Sequence, residues 1–438
     1  MVSMRRSVHV RIGTAAAPVG ALIVESDGAR ETSVFTYDAA WIERRGAFAL
    51  APGMTLGATP IYTNRAADGS SLPAAIADGT PDAWGRAVIK AVLGGRIRSE
   101  LDYLVESDDF LRSGALRYYD GPEPNAPALA QPRQGPGLAS IPRLLDLSQV
   151  IAEARAFEAD PIHYREKRAH MIGGDLLRNA VGTLGGARPK VNARAEDGSL
   201  WIVKLAKTDD AYAVARAEVM ALRLAERVGI HASTSDVLPS GQRFPVAIVK
   251  RFDRGDNATR IPFISAQTFM ELPGAEPGNY VDLAFKIRQW SLDVKGDLHE
   301  LYRRLLYNVL IQNTDDHLRN LGFLYRGNGR WGLSPAYDIN PVSTDGTTLK
   351  TAISDSHGNA LDVDAVLDVC EYFEVGADES RATAAAMAAT IRSEWREIGI
   401  RLGMTASDMK AIQPAMENRQ IDHALGLART VVSGTLSH

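Results

Sequence analysis

Residues 298–320, LHELYRRLLYNVLIQNTDDHLRN, set the tightest limit on how this chain can fold. Apolar side chains fall at 298, 301, 305, 306, 309 and 310, which is one face of a helix. That stripe stops at NTDDHLRN, where two adjacent carboxylates, a histidine, an arginine and two amides crowd together. LGFLYR, GNGR and WGLSPAYDI follow, and they read as strand, turn and strand with Asp338 just past them. The layout is therefore helix, polar loop, hairpin, aspartate. Asp315 and Asn320 stand at the two ends of the loop, and the hairpin returns Asp338 beside them.

Phosphoryl transfer needs such a set, because it asks for positioned charge more than for covalent chemistry by the protein. Asp315 suits the carboxylate that orients the attacking hydroxyl and takes its proton. Asn320 and Asp338 suit two oxygen ligands for Mg²⁺, a hard cation that shares its other positions with phosphates and water. The spacing D-x-x-x-x-N equals that of the protein-kinase catalytic loop. A kinase then requires a Gly-rich loop, a strand lysine and a helix glutamate upstream, in that order. GTLGGARPK supplies the loop, with Gly185, Gly186 and Ala187 against ATP; WIVK supplies Lys204, and ARAEVMAL supplies Glu218. The adenine side follows at VKRFD, which holds Lys250 and Phe252. Asp316 reads as a solvated neighbour, and Asn313 receives no role. A hydrolytic metal site built from Asp315, Asp316 and His317 is the poorer reading, since adjacent loop residues rarely converge on one ion.

The rest of the chain frames this set. At 438 residues, two or three packed units are expected. VHVRI, GALIVES and TSVFTYD read as strands, with Asp27-Gly28 turning the last two. GTPDAWGRAVIKAVLGG reads as a helix capped by Thr80, opened by Pro81 and stopped by Gly94, with Trp84, Val88 and Val92 buried. GPEPNAPALAQPRQGPG is a linker or exposed loop, followed by a helical stretch over 141–157. Two strands meet across Asp197-Gly198, and the next helix is capped by Asp209 or Asp210 and ended by Gly229. The expected fold class is α+β: an N-terminal β-rich subdomain (1–125), a small mixed lobe (126–255) and a large helical lobe (256–438) in a bilobal protein-kinase-like arrangement. A net charge of -4 argues against a generally basic nucleic-acid binder. Cys370 is the only cysteine, which excludes an internal disulfide, and neither a signal-peptide core nor a membrane-spanning run is evident. A soluble cytoplasmic protein with no membrane partner is expected.

These motifs together resemble the HipA family of serine/threonine kinases, the toxin components of bacterial toxin–antitoxin modules. The family's Asp, with His two and Asn five residues later and a basic residue before the Asn, is met by Asp315, His317, Arg319 and Asn320. SPAYDIN resembles its metal-binding segment, VKRFDR its hinge, GTLGGARPK its Gly-rich loop, and VFTYDAAWI with LPAAIADGTPDAWGR its N-terminal subdomain. The resemblance implies Asp315 as catalytic base, Asn320 and Asp338 as Mg²⁺ ligands, and Lys204 on the ATP phosphates; His317, grouped with Asp315 in the catalytic set, reads as supporting the loop through a hydrogen bond or touching the phosphates. The resemblance also implies autophosphorylation, with Thr183 standing where the family has serine, and Lys250 standing where the family often has glutamate. A helix-turn-helix antitoxin of the HipB type, operator DNA bound through that complex, and protein substrates that include aminoacyl-tRNA synthetases are implied as partners, with a link to bacterial persistence. Two other readings stay open at this level: a small-molecule kinase of the aminoglycoside type, and a catalytically idle corepressor of an antitoxin.

Overall fold

The alternating apolar residues of the N-terminal stretch form one face of an antiparallel sheet. Its strands are β1 (Met4–Ile12), β2 (Ala17–Ser26), β3 (Glu31–Tyr37), β4 (Ile61–Asn64) and β5 (Leu116–Tyr119), in the order β4-β3-β2-β1-β5. Val8, Val10, Leu22, Val24 and Phe35 are fully buried on it, as the period of two requires. The computed structural model describes residues 4–27, 30–64, 69–129, 141–164, 166, 177, 180, 188–207, 209–241, 243–274, 276–343 and 348–434. The chain divides into two compact units. The first holds 1–207, 248–276 and 324–329; the second holds 208–247, 277–323 and 330–438.

The first unit also holds helices α1 (Ala83–Leu93) and α2 (Glu100–Glu106), and α3 (Ser148–Ala159), which follows a 3₁₀ turn at Leu144–Asp146. Trp84, Val88 and Val92 are buried on α1, and Gly94 ends it with φ 56°. Its cap is not Thr80. Asp82 accepts the Gly85 N–H at 2.7 Å, while the Thr80 hydroxyl turns back to the Ala77 carbonyl, so Pro81 precedes the cap instead of opening the helix. Strands β6 (Lys190–Arg194) and β7 (Leu200–Lys204) pair antiparallel, and β8 (Val246–Lys250) lies on the other side of β7. A short β9 (Phe263–Ser265) follows.

Past β8 the sequence RFDR turns inward. Arg251 grips both oxygens of Asp253, at 2.9 and 2.7 Å, and also donates to the carbonyls of Leu111 and Arg112. Arg254 donates to Asp253 at 2.8 Å and to the carbonyls of Phe110, Arg112 and Gly114. Asp109 in turn accepts from Arg112, Arg117 and Arg260. Burial alone would raise the Asp253 carboxyl, but Arg251 and Arg254 overcome it and hold that group far below the usual carboxylate range. This charge network ties residues 109–117 to residues 251–260.

The second unit is mostly helical: α4 (Val214–Arg227), α5 (Tyr280–Trp290), α6 (Val294–Leu310), α7 (Ala377–Arg401), α8 (Ala406–Met416) and α9 (Arg419–Gly434). All six apolar positions of the α6 stripe, from Leu298 to Leu310, are fully buried. Each such side chain contributes roughly 1.5–3 kcal/mol by leaving water, so the helix that delivers the polar loop is anchored along its length. Neither Asp209 nor Asp210 caps α4. The helix starts later, after Ala213, whose N–H goes to the distant Asp408 carboxylate at 2.9 Å. The expected hairpin strands β10 (Gly322–Gly327) and β11 (Arg330–Leu333) are divided in sequence between the units, with 324–329 counted in the first; Asn328 and Gly329 both have positive φ, 53° and 71°, as a two-residue type I′ turn requires. Among the described residues no helix is long and apolar enough to cross a membrane.

Candidate active site

The polar loop begins where α6 can no longer continue. Gln312 takes a left-handed φ of 55°, and Asn313 folds back, its backbone N–H on the Asn308 carbonyl at 2.8 Å and its side-chain amide on Asn308 Oδ1 at 2.9 Å. Asn308 donates to the Tyr280 hydroxyl at 3.0 Å, and that hydroxyl donates to Asp316 Oδ2 at 2.9 Å. Asn313, to which the sequence assigns no role, is thus the first link of a buried polar chain. Its own Oδ1 accepts the Asn340 N–H at 3.2 Å, which ties the loop to the segment after the hairpin.

Asp316 is not a solvated neighbour. It is 3% exposed, and its Oδ1 accepts the backbone N–H groups of Lys350 and Thr351 at 3.1 and 3.4 Å. The Thr351 hydroxyl donates to the Asp316 carbonyl at 2.6 Å. Burial pushes the Asp316 carboxyl up to about 7, against these donors. Its partners lie more than thirty residues away in sequence, so a pair of adjacent aspartates gives no local sign of which one is buried.

Asp315 points the other way. Its side chain is half-exposed and forms an ion pair with Lys350. Its carbonyl accepts the His317 N–H and the Asn320 side-chain amide, both at 2.9 Å. With its nitrogen used inside the loop, Asn320 keeps its Oδ1 buried and without a hydrogen-bond partner. His317 Nδ1 is likewise buried and unpartnered. Burial lowers the His317 pKa against the opposing pull of Asp315 and Asp338, which places both carboxylates near the imidazole.

Asp338 arrives through the hairpin. Ala336 exchanges backbone hydrogen bonds with His231 and Ser233, and the Tyr337 hydroxyl donates to the Arg319 carbonyl at 2.8 Å. Asp338 itself has φ 56°, the left-handed region that a residue with a Cβ enters at a cost. Asn340 Nδ2 donates to its Oδ1 at 3.1 Å, and Val342 N–H bonds back to Gln312. Asp315, His317, Asn320 and Asp338 therefore meet within one unit. For a hard divalent cation the donor chemistry fits: an orphaned amide oxygen on Asn320 and a carboxylate on Asp338 held in a strained backbone conformation. The hydrolytic cluster of Asp315, Asp316 and His317 does not form, because Tyr280, Lys350 and Thr351 occupy the Asp316 carboxylate.

The remaining candidates are placed as follows. Lys204 closes β7 in the first unit, is 9% exposed, and pairs in register with Lys190. Lys250, in that unit, is exposed at the end of β8. Phe252 rests its ring 5.9 Å from that of Phe263. Glu218 is buried on α4 in the second unit. Thr183, Gly185, Gly186 and Ala187 lie outside the described residues. Lys350, the ion-pair partner of Asp315, is not legible in the sequence, because a lone lysine in TLKTA carries no signal of its own.

Comparison with known proteins adds family to this geometry. The chain matches a model of the HipA N-terminal domain over residues 10–109 and one of the HipA-like C-terminal domain over residues 182–395. It is similar to Toxin YjjJ of Escherichia coli (strain K12), 24% identical over 189 residues, which cover 41% of this chain and 42% of that protein. A Haemophilus influenzae protein named as a kinase is 37% identical over 65 residues, 15% of this chain and 19% of its own. The chain thus spans less than half the length of these curated relatives. Among solved structures it is similar to the Shewanella oneidensis MR-1 toxin–antitoxin complex of HipA, HipB and operator DNA, with TM-score 0.66 at 15% identity, covering 96% of this chain and 98% of that one. At that identity the likeness concerns fold alone.

Proposed function

We propose that this chain, which belongs to the HipA family, is a serine/threonine-protein kinase that acts as a toxin. The observation that carries the reading is the pairing of a half-exposed Asp315 with a buried, unbonded Asn320 oxygen and a strained Asp338 in one unit. The substrate hydroxyl oxygen forms the new bond to the γ-phosphorus of ATP, the bond from that phosphorus to the β–γ bridging oxygen breaks, and the hydroxyl proton passes to Asp315. ADP leaves with the bonding pair. His317, its pKa lowered by burial, lies beside the two carboxylates. Asn320 and Asp338 would hold Mg²⁺, which when bound neutralises triphosphate charge. Lys204 is assigned to the ATP phosphates, and Glu218 to the role of the kinase helix glutamate. The Gly-rich loop with Gly185, Gly186 and Ala187 is assigned to the triphosphate, and Lys250 and Phe252 to the adenine side of a bilobal kinase-like architecture.

The same reading includes a cytoplasmic setting, a HipB-type antitoxin that brings the chain to operator DNA, and a protein target such as an aminoacyl-tRNA synthetase. It also includes autophosphorylation at Thr183, where added negative charge would repel the triphosphate and silence the enzyme. The test is phosphate transfer from γ-labelled ATP with Mg²⁺ by the full chain and by Asp315→Ala, read by mass spectrometry of the protein. Phosphate on the wild type is expected, with a rate loss of about 10²–10⁴-fold in the variant. ATP binding with no phosphorylated protein would move the reading to a small-molecule kinase. A chain that binds no ATP would point to a corepressor.

A further inference from the structure

Resting on that kinase reading, we propose that Lys350 is a positioning residue of the transfer step, a cation that passes between Asp315 and the γ-phosphoryl group. Two observations carry this. The backbone of Lys350 is clamped from both sides: Asp316 Oδ1 accepts its N–H at 3.1 Å, and its carbonyl accepts from Asn359 Nδ2 at 3.2 Å. Leu349 and Thr351 extend the clamp, Leu349 to Asn359 in both directions and Thr351 to the Asp316 carbonyl and carboxylate. A buried carboxylate thus holds the backbone of one lysine, and that lysine reaches the aspartate directly preceding it.

The ion pair itself is no reason for such a clamp. Both side chains are about half-exposed, 59% for Lys350 and 47% for Asp315, and exposed pairs add little to stability. The arrangement instead fits a charge problem. Asp315 must stay anionic until it takes a proton, yet it faces an incoming polyanionic triphosphate. An ammonium on a four-carbon stem screens that repulsion and can swing to the non-bridging γ-phosphoryl oxygens without backbone motion. As the new oxygen–phosphorus bond forms and the bridging bond breaks, the hydroxyl proton neutralises Asp315. Lys350 then loses its attraction to the aspartate and stays with the phosphoryl oxygens.

The test follows the autophosphorylation rate of the full chain against ATP concentration for wild type, Lys350→Met and Lys350→Arg, with thermal unfolding alongside. Expected are a fall of about 10²-fold in the maximal rate of the Met variant, a half-saturating ATP concentration within about threefold of wild type, recovery of most of the rate in the Arg variant, and unchanged unfolding. A Met variant within twofold of an active wild type overturns the proposal alone. So does a loss confined to the half-saturating concentration, or an Arg variant as slow as Met with a lowered unfolding temperature, which is the pattern of a structural role. A wild type that binds ATP and transfers nothing overturns both this proposal and the kinase reading.

Discussion

Asp253 and Asp315 are both aspartates beside a cation, yet their surroundings are opposite in kind. Around Asp253 both carboxylate oxygens are taken, by Arg251, Arg254 and the Gly114 N–H, and the cluster is buried. Asp109 in the same network accepts from three guanidinium groups. Around Asp315 hydrogen bonding is abundant but selective. It fixes Asn308, Asn313, Asp316 and the backbone of the loop, and leaves Asn320 Oδ1 and His317 Nδ1 buried without partners. Unmade bonds to buried polar atoms are unfavourable. The first region pairs both of its carboxylates with guanidinium groups and so holds the chain together, although Arg254 Nε and Arg260 Nη1 there are left without partners; in the second, the unpartnered atoms lie on the loop itself, on Asn320 and His317, where Asp315 is paired only with an exposed lysine.

The same chemical change in the two places is the strongest way to break this contrast. Asp253→Asn should lower the unfolding free energy by about 3–5 kcal/mol, because Arg251 and Arg254 are left buried without their counter-charge. Asp315→Asn should alter it by no more than about 1 kcal/mol, since its partner Lys350 is exposed. Urea unfolding of the two full-length variants measures both. Equal losses would mean that Asp315 is part of the framework and would remove the physical basis for separating the regions.

pH sharpens the contrast, because the two buried aspartates respond with opposite signs. Asp253 has a depressed folded pKa, so its contribution is present at neutral pH and lost as pH falls below about 4. Asp316 has a folded pKa of about 7, against an unfolded value of about 3.9. Between those values the folded chain keeps a proton that the unfolded chain has released, so stability declines as pH rises through that window. The decline has an upper bound of about 4 kcal/mol. Asp316→Asn should flatten it. Comparing urea midpoints of wild type and variant at pH 5 and pH 8 isolates the term, and parallel declines in the two proteins would show that Asp316 is not its source.

Local chemistry explains which parts of this could be read from the sequence. The α6 stripe was legible because six apolar residues at helical spacing have only one way to be buried together, and the Asn-Gly turn of the hairpin because both its residues tolerate positive φ. Placing Asp315, Asn320 and Asp338 in one loop cluster needed nothing more than that helix and that hairpin. What could not be read depends on distant partners. The start of α4 is set by Asp408, 195 residues further on. The burial of Asp316 depends on Tyr280, Lys350 and Thr351. The inward turn of RFDR depends on the backbone of residues 110–114. In each case the sequence shows a plausible polar residue, and only the tertiary structure says whether it is solvated, capping or buried.

The smallest expected effect is the most pointed. Asn320→Ala removes the 2.9 Å hydrogen bond from Nδ2 to the Asp315 carbonyl, a loss of about 0.5–1.5 kcal/mol. It also removes the buried Oδ1 that has no partner, and eliminating an unsatisfied buried group returns about 1–3 kcal/mol. The two effects oppose each other, so stability in the absence of Mg²⁺ and nucleotide should stay within about 1 kcal/mol of wild type. A fully bonded buried asparagine would behave differently, because truncating it strands its partners with no compensating relief. A loss of 3 kcal/mol or more in urea would therefore show that this oxygen is engaged in the free protein, and the contrast between the paired carboxylates of the framework and the open oxygen of the loop would no longer hold at the residue where it is sharpest.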